Sequence, residues 1–265
     1  MYLFCLYRYA YGINSVGLYL KIKHMNILDA FIIVAVAALI HASFQLSVSM
    51  LTMLSSHTIG AKRSHARLLG LTNAFTFGVM VMTILVLSTI SLIMQLSLND
   101  SANLIAWVAT CGLMFGLGIS VWIFYYRKEQ GTTLWLPRSL ARYLSDRTKA
   151  TKQAGEAFGL GVSSVIAELL FIAAPIMVSA LVLVELSPIW QLTGIAFYTL
   201  ISLLPLFIVS GLIGSGHKIS HIQRWREQNK SFLQFIAGSS LVALGFYLYV
   251  DQVLTPTVMA AAGSL

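Results

Sequence analysis

The sequence predicts an all-α integral membrane protein. Six transmembrane helices are expected, arranged as two inverted three-helix repeats, with an interfacial amphipathic helix in the central cytoplasmic loop. Three observations carry this expectation. Of 265 residues, 58% are hydrophobic and only 10% charged, whereas a soluble domain carries about 25% charged residues. Several apolar stretches reach the ~20 residues that cross a bilayer as a helix. The basic residues are also distributed to one side of these stretches.

The spans are read as 27–54, 68–96, 102–126, 158–184, 189–213 and 232–250. Some exceed the minimum crossing length, so tilt, a kink or a broken segment must absorb the excess. The first-to-second connection holds Lys62, Arg63 and Arg67. The third-to-fourth holds Arg127, Lys128, Arg138, Arg142, Arg147, Lys149 and Lys152, and the fifth-to-sixth holds Lys218, Arg224, Arg226 and Lys230. Together they carry fourteen of the seventeen Lys and Arg; the opposite side has none from Asn26 onward and offers Asp29, Asp100, Glu185 and Asp251. The positive-inside rule then places the basic loops in the cytoplasm and both ends of the six-helix unit outside the cell membrane. The net charge of +8 is thus read as orientation and as attraction to anionic lipids, with no nucleic-acid partner.

Residues 1–24 carry Arg8, Lys21 and Lys23 on the wrong side. They are read either as an upstream extension, with a natural start at Met25, or as a short interfacial helix. Residues 25–126 form the first half, 127–156 the basic linker, 157–251 the second half and 252–265 a tail. Within the linker, Pro137 fits a helix first turn. Leu136, Leu140, Tyr143 and Leu144 would then share an apolar face, opposite Arg138, Arg142 and Arg147.

The most informative single residue is Glu168. An ionisable group at bilayer depth costs at least ~2.5–3.5 kcal/mol on the insertion scale and usually faces a cavity, a pathway or a partner. The first helix of the other half places His41, Ser43, Gln45, Ser47 and Ser49 at similar depth. In an inverted repeat the two first helices meet near the midplane. A central polar site is therefore expected from Glu168, His41, Gln45, Ser43, Ser163 and Ser164. His41 can gain or lose a proton near neutrality, and Gln45 shares its helix face. Helix breaks are expected at Pro175 and Pro205. Gly112 and Gly116, Gly155 and Gly159, and Gly238 and Gly245 are expected to pack helices closely, which is compatible with a homo-oligomer. A helix stop is expected at Gly214 and Gly216. His217 and His221 lack a third ligand nearby, so no metal is expected. Cys5 and Cys111 have no motif spacing. No nucleophile elbow, phosphate loop or paired carboxylates occur, so neither an enzyme nor a cofactor is expected.

The six-span layout, the long basic central loop and the pattern Tyr198–Val209 followed by a basic loop and Phe232–Leu248 resemble the lysine-exporter superfamily. That superfamily includes LysE-type exporters and CcdA/DsbD-type transmembrane electron carriers. The resemblance implies a secondary transporter or exporter of a small solute or ion. An alternative is a cysteine-less relative of the thiol-redox carriers, acting as a membrane partner or assembly factor; a structural subunit of a membrane complex is a third. The thiol carriers have a cysteine in the first helix of each half, and here spans one and four have none. The exporters have a Gly-Pro-rich break in the first helix, where this chain reads His41-Ala-Ser-Phe-Gln45-Leu-Ser.

The topology is testable by single-cysteine labelling of intact cells. Residues 62–67, 138–152 and 218–230 should be protected from an impermeant reagent, and positions 100 and 185 labelled. Strong labelling within 138–152 would reject the orientation.

Overall fold

The computed structural model describes residues 25–44, 46–60, 65–97, 100–125, 138–215 and 228–262. Among these residues every regular element is a helix and there is no strand. The elements are α1 (Ile27–Ser43), α2 (Leu46–Gly60), α3 (His65–Ser97), α4 (Asp100–Ser120), α5 (Arg138–Ala150), α6 (Ala154–Val184), α7 (Pro188–Ser202), α8 (Leu204–Gly214), α9 (Lys230–Leu248) and α10 (Thr255–Ala262). A π-helical turn, Val121–Tyr125, extends α4, and another, Tyr249–Leu254, joins α9 to α10. The last helix therefore runs on into residues read from the sequence as a tail.

Four of these helices are long and apolar enough to cross a membrane. Two further pairs qualify only as bent units: α1 with α2, at 46°, and α7 with α8, at 52°. Counting each pair as one span makes six.

The bundle is built around α6. In its most apolar stretch 72% of residues are buried, against 22–35% in the other three unbroken spans. Only a helix surrounded by other helices has that profile. At 31 residues it is about 46 Å long, well beyond the ~30 Å hydrocarbon core. Its first turn is fixed by Glu156, whose Oε2 accepts the backbone N–H groups of Lys152 (2.7 Å) and Gln153 (3.2 Å). That satisfies donors that a helix start leaves open.

The sequence expects a bend or break at Pro175, but α6 continues through it as one helix. The surrounding burial of Ala174, Pro175, Ile176 and Val178 holds the segment in place. Proline is tolerated in membrane helices where neighbours hold the local geometry. Pro205 behaves as expected: it lies in the first turn of α8, directly after the α7–α8 break at Leu203. A ring nitrogen without a proton is tolerated in that first turn.

Helix α6 packs most extensively on α3, and glycines set the distance. A methyl group on Gly78 would overlap the carbonyl of Phe158, and one on Gly161 would overlap the carbonyl of Phe75. Each helix thus presents a glycine to the other's backbone. The α4–α9 crossing repeats the device: a methyl on Gly118 would lie 3.0 Å from the Gly238 carbonyl, and one on Gly238 would lie 2.7 Å from Trp122 Nε1. Gly245 closes the same seam against Met114. Gly238 and Gly245 therefore pack as the sequence suggests. Gly112, Gly116, Gly155 and Gly159 do not, because a methyl on any of them would meet only open space.

Helix α5 forms where the linker helix is expected and packs on α2 and α6. Its expected apolar face is split. Leu144 is buried with Thr148, whose hydroxyl donates to the Leu144 carbonyl at 2.6 Å, while Tyr143 is exposed. Leu136 and the Leu140 side chain lie outside the described residues, as do residues 1–24, His217 and His221. The helix stop expected at Gly214 is where α8 ends.

The glycine contacts make a direct test. Gly78→Ala and Gly161→Ala should each lower stability by roughly 1–3 kcal/mol, the range for overpacking. Gly112→Ala and Gly159→Ala should stay within about 0.5 kcal/mol of the parent. Thermal unfolding of the detergent-solubilised protein reads the difference, and equal effects at all four positions would contradict the crossing.

Candidate functional site

The site grows from the break in the first bent pair. Helix α1 begins at Asn26, whose side chain accepts the Leu28 N–H at 3.3 Å, and carries Asp29 in its first turn. Both features suit the positive end of a helix. It ends without glycine or proline. The Phe44 N–H turns back to the His41 carbonyl at 3.0 Å, and the Ser43 hydroxyl donates to the Ile40 carbonyl at 2.6 Å. These tight bonds close the last turn and leave the first N–H groups of α2 without intrahelical acceptors. Phe44 is anchored against α6: its ring stacks on Phe171 at 6.1 Å, with Val121 of the π-helical turn alongside.

Glu168 supplies an acceptor for α2. Its Oε1 accepts the Ser47 backbone N–H, and also the Ser47 hydroxyl at 2.8 Å. Ser47 Oγ lies 3.1 Å from Ser164 Oγ, and Ser164 also donates to the Gly161 carbonyl at 2.7 Å. Each hydroxyl has one proton. With the Ser47 proton on Glu168, the Ser164 proton is shared between Ser47 Oγ and the Gly161 carbonyl. Glu168 is 1% exposed, and Ser47 and Ser164 are fully buried. The carboxyl therefore points into the bundle, onto the N-terminus of a half-helix.

The second bent pair meets the first beside this cluster. Helix α1 packs on α7, and α2 packs on α8. Phe31 meets Trp190 and Phe197 with ring centroids 6.0 Å and 5.3 Å away. Nearer the breaks, His41 Nδ1 lies 2.9 Å from the Tyr198 hydroxyl, both side chains being buried. Below Tyr198, the Leu203 N–H bonds the Thr199 carbonyl at 3.1 Å and the Ser202 hydroxyl bonds the same carbonyl at 3.1 Å. Beyond the break, Ser210 of α8 lies 3.1 Å from Thr76 of α3, hydroxyl to hydroxyl.

Comparison of the chain with protein-family models, with characterised proteins and with solved structures gives no match. The site is therefore read from its own geometry.

Of the residues expected at the centre, Glu168 and Ser164 share one network, and His41 lies in the adjoining contact with Tyr198 rather than on Glu168. Among the described residues Ser43 bonds its own helix, at Ile40. Ser163 does the same, donating to Gly159 at 2.8 Å, and it lines a cleft toward α5 instead. Gln45 lies outside the described residues. Two contributors were not singled out from sequence. Ser47 stood among five polar residues with nothing to rank it. Tyr198 offered one signal, a phenol among apolar residues shortly before the Pro205 break.

The pairing of His41 with Tyr198 predicts a stability coupling. Tyr198→Phe leaves a buried imidazole nitrogen without its partner and should cost about 1–3 kcal/mol. His41→Phe combined with Tyr198→Phe should recover part of that loss. A double-mutant cycle by thermal unfolding in detergent measures the coupling; a value near zero would deny the bond.

Proposed function

We propose that this protein is a secondary transporter or exporter of a small solute or ion in the cell membrane. Its central site would lie where the two bent spans break side by side. The carrying observation is that adjacency: α1–α2 and α7–α8 are bent by 46° and 52° and packed half against half. Discontinuous backbone at membrane depth is tolerated where protein or a water-filled cavity covers it, and it recurs at transporter midplane sites. The reading takes all six apolar units as spans, with the basic loops cytoplasmic and the two halves as inverted repeats. It also agrees with the resemblance to the lysine-exporter superfamily.

In this reading Glu168 is the coupling group. An ionised carboxylate makes charge-assisted bonds to the Ser47 N–H and hydroxyl, roughly twice as strong as neutral ones. Adding a proton weakens the tie between α6 and α2. Opening that tie and loading the proton are then linked, each favouring the other. Rocking one half against the other would carry the solute past the paired breaks.

A second reading is favoured by the same hydrogen bonds: Glu168 is a permanent cap for α2, and the protein is a structural partner in a membrane complex. Flux measurements on proteoliposomes, with a panel of amino acids, small cations and anions and with or without a proton gradient, separate the two. Glu168→Gln keeps an acceptor oxygen but cannot titrate. It should preserve the fold and abolish the proton-driven component of flux. Full proton-driven flux in that variant would reduce Glu168 to the structural cap.

A further inference from the structure

A cleft of about 210 Å³ lies between α5 and the first turns of α6. On the α5 side it is lined by Tyr143 and Arg147; on the α6 side Glu156, Gly159, Leu160 and Ser163 form the wall. It is smaller than the ~300–1,000 Å³ of typical drug-sized ligand sites, so a headgroup fits it better than a whole solute. Gly159 makes the space: a methyl there meets nothing within 4 Å. The Glu156 carboxyl does not fill the cleft, because it is turned back onto the Lys152 and Gln153 N–H groups. Among the described residues the Arg147 guanidinium donates no hydrogen bond; its charge acts on the Glu156 carboxylate across the cleft. Beyond the cleft, α6 presents an exposed apolar face. Gly159, Ser163, Ile166 and Leu170 follow one face of α6 at helical spacing, and Ile166 and Leu170 are 55% and 62% exposed.

We propose that this cleft seats the headgroup of an anionic phospholipid. The phosphate meets the Arg147 guanidinium and the Tyr143 hydroxyl, and an acyl chain lies along Ile166 and Leu170. The guanidinium selects the headgroup, because its fork matches phosphate oxygens in planar pairs, while the Glu156 carboxylate in the same lining is held by the Lys152 and Gln153 N–H groups. The apolar stripe selects a lipid over a free anion. The inference rests on the reading of α6 as a membrane span whose basic end lies at the interface. Its readout is lipid retention, not flux, so its failure and the failure of the transport reading are distinguishable.

The test is native mass spectrometry of the full chain in neutral detergent, with equal mole fractions of phosphatidylglycerol and phosphatidylcholine. The parent should retain phosphatidylglycerol preferentially. Arg147→Gln should reduce that retention about tenfold, the scale of one lost charge-assisted bond, and Gly159→Leu should reduce it by filling the cleft. Lys149→Gln removes the same charge outside the cleft and should stay within about twofold, as for a surface charge. An equal loss in Lys149→Gln, equal retention of phosphatidylcholine, or an unaffected Arg147→Gln would overturn the proposal. Displacement of the lipid by millimolar inorganic phosphate would make the occupant a free anion and also overturn it. Should Gly159→Leu fail to fold, the exposed Arg147 position decides alone.

Discussion

The structure depends on where the open backbone groups at a break in the first span find partners. In hydrocarbon there is no water to take them, and each unsatisfied group costs several kcal/mol. Between Ser43 and Ser47 the chain changes direction by 46° without a glycine or proline to ease it. The bend persists because a carboxyl oxygen arrives from another helix to take the Ser47 N–H and hydroxyl. Phe44 is stacked on Phe171, one turn beyond that carboxyl on the same helix. Glu168 and Phe171 together make α6 the template on which the first span is bent.

That arrangement explains why α6 must be rigid and centrally held. A cap works only if its position is fixed relative to the helix it serves. The reciprocal glycine contacts at Gly78 and Gly161 lock α6 to α3 at backbone distance, and α3 in turn meets α8 through Thr76 and Ser210. Helix α2 and helix α8, the lower halves of the two bent units, are thus both referenced to the α3–α6 pair, one by a carboxyl and one by a hydroxyl. The upper halves, α1 and α7, are tied to each other by His41–Tyr198 and by the ring contacts of Phe31.

Much of this was legible in the sequence, for reasons specific to particular residues. Apolar runs of bilayer length announce helices because no other single-segment structure satisfies its backbone in lipid, and the helices fall close to where those runs do. Glu168 stands out through its cost alone, and Pro205 marks a break because its ring nitrogen has no proton. The break near Phe44 was not legible, since its cause is tertiary: the carboxyl that stabilises it lies more than a hundred residues away. Pro175 misled for the converse reason, its neighbours holding a helix that local chemistry disfavours. The glycine pairs show a further limit. Spacing of four puts Gly112 and Gly116 on one face, but spacing cannot say whether a partner stands opposite. Gly238 and Gly245 do find partners, whereas the contacts of Gly78 with Phe158 and Gly161 with Phe75 carry no spacing that was singled out.

The position of the breaks also bears on how the two halves are related. If spans one and four were equivalent first helices of inverted repeats, both would be expected to break at the same depth. The α1–α2 unit is broken, yet α6 is continuous, and the second break falls between α7 and α8. Adjacency gives a physical reason for that choice. A broken span presents unpaired N–H and C=O groups and the hydroxyls that serve them, here Ser43, Ser47 and Ser202, the last donating to the Thr199 carbonyl. Ser47, Ser202 and Thr199 are buried between the packed helices, and α6 beside the first break supplies the Glu168 acceptor for Ser47. The N-terminal part of the chain then contributes one break, and the C-terminal part contributes both the other break and the continuous helix whose carboxyl caps α2. The asymmetry follows from the capping: had α6 broken at Pro175, the segment presenting Glu168 and Phe171 would no longer be fixed with respect to α2.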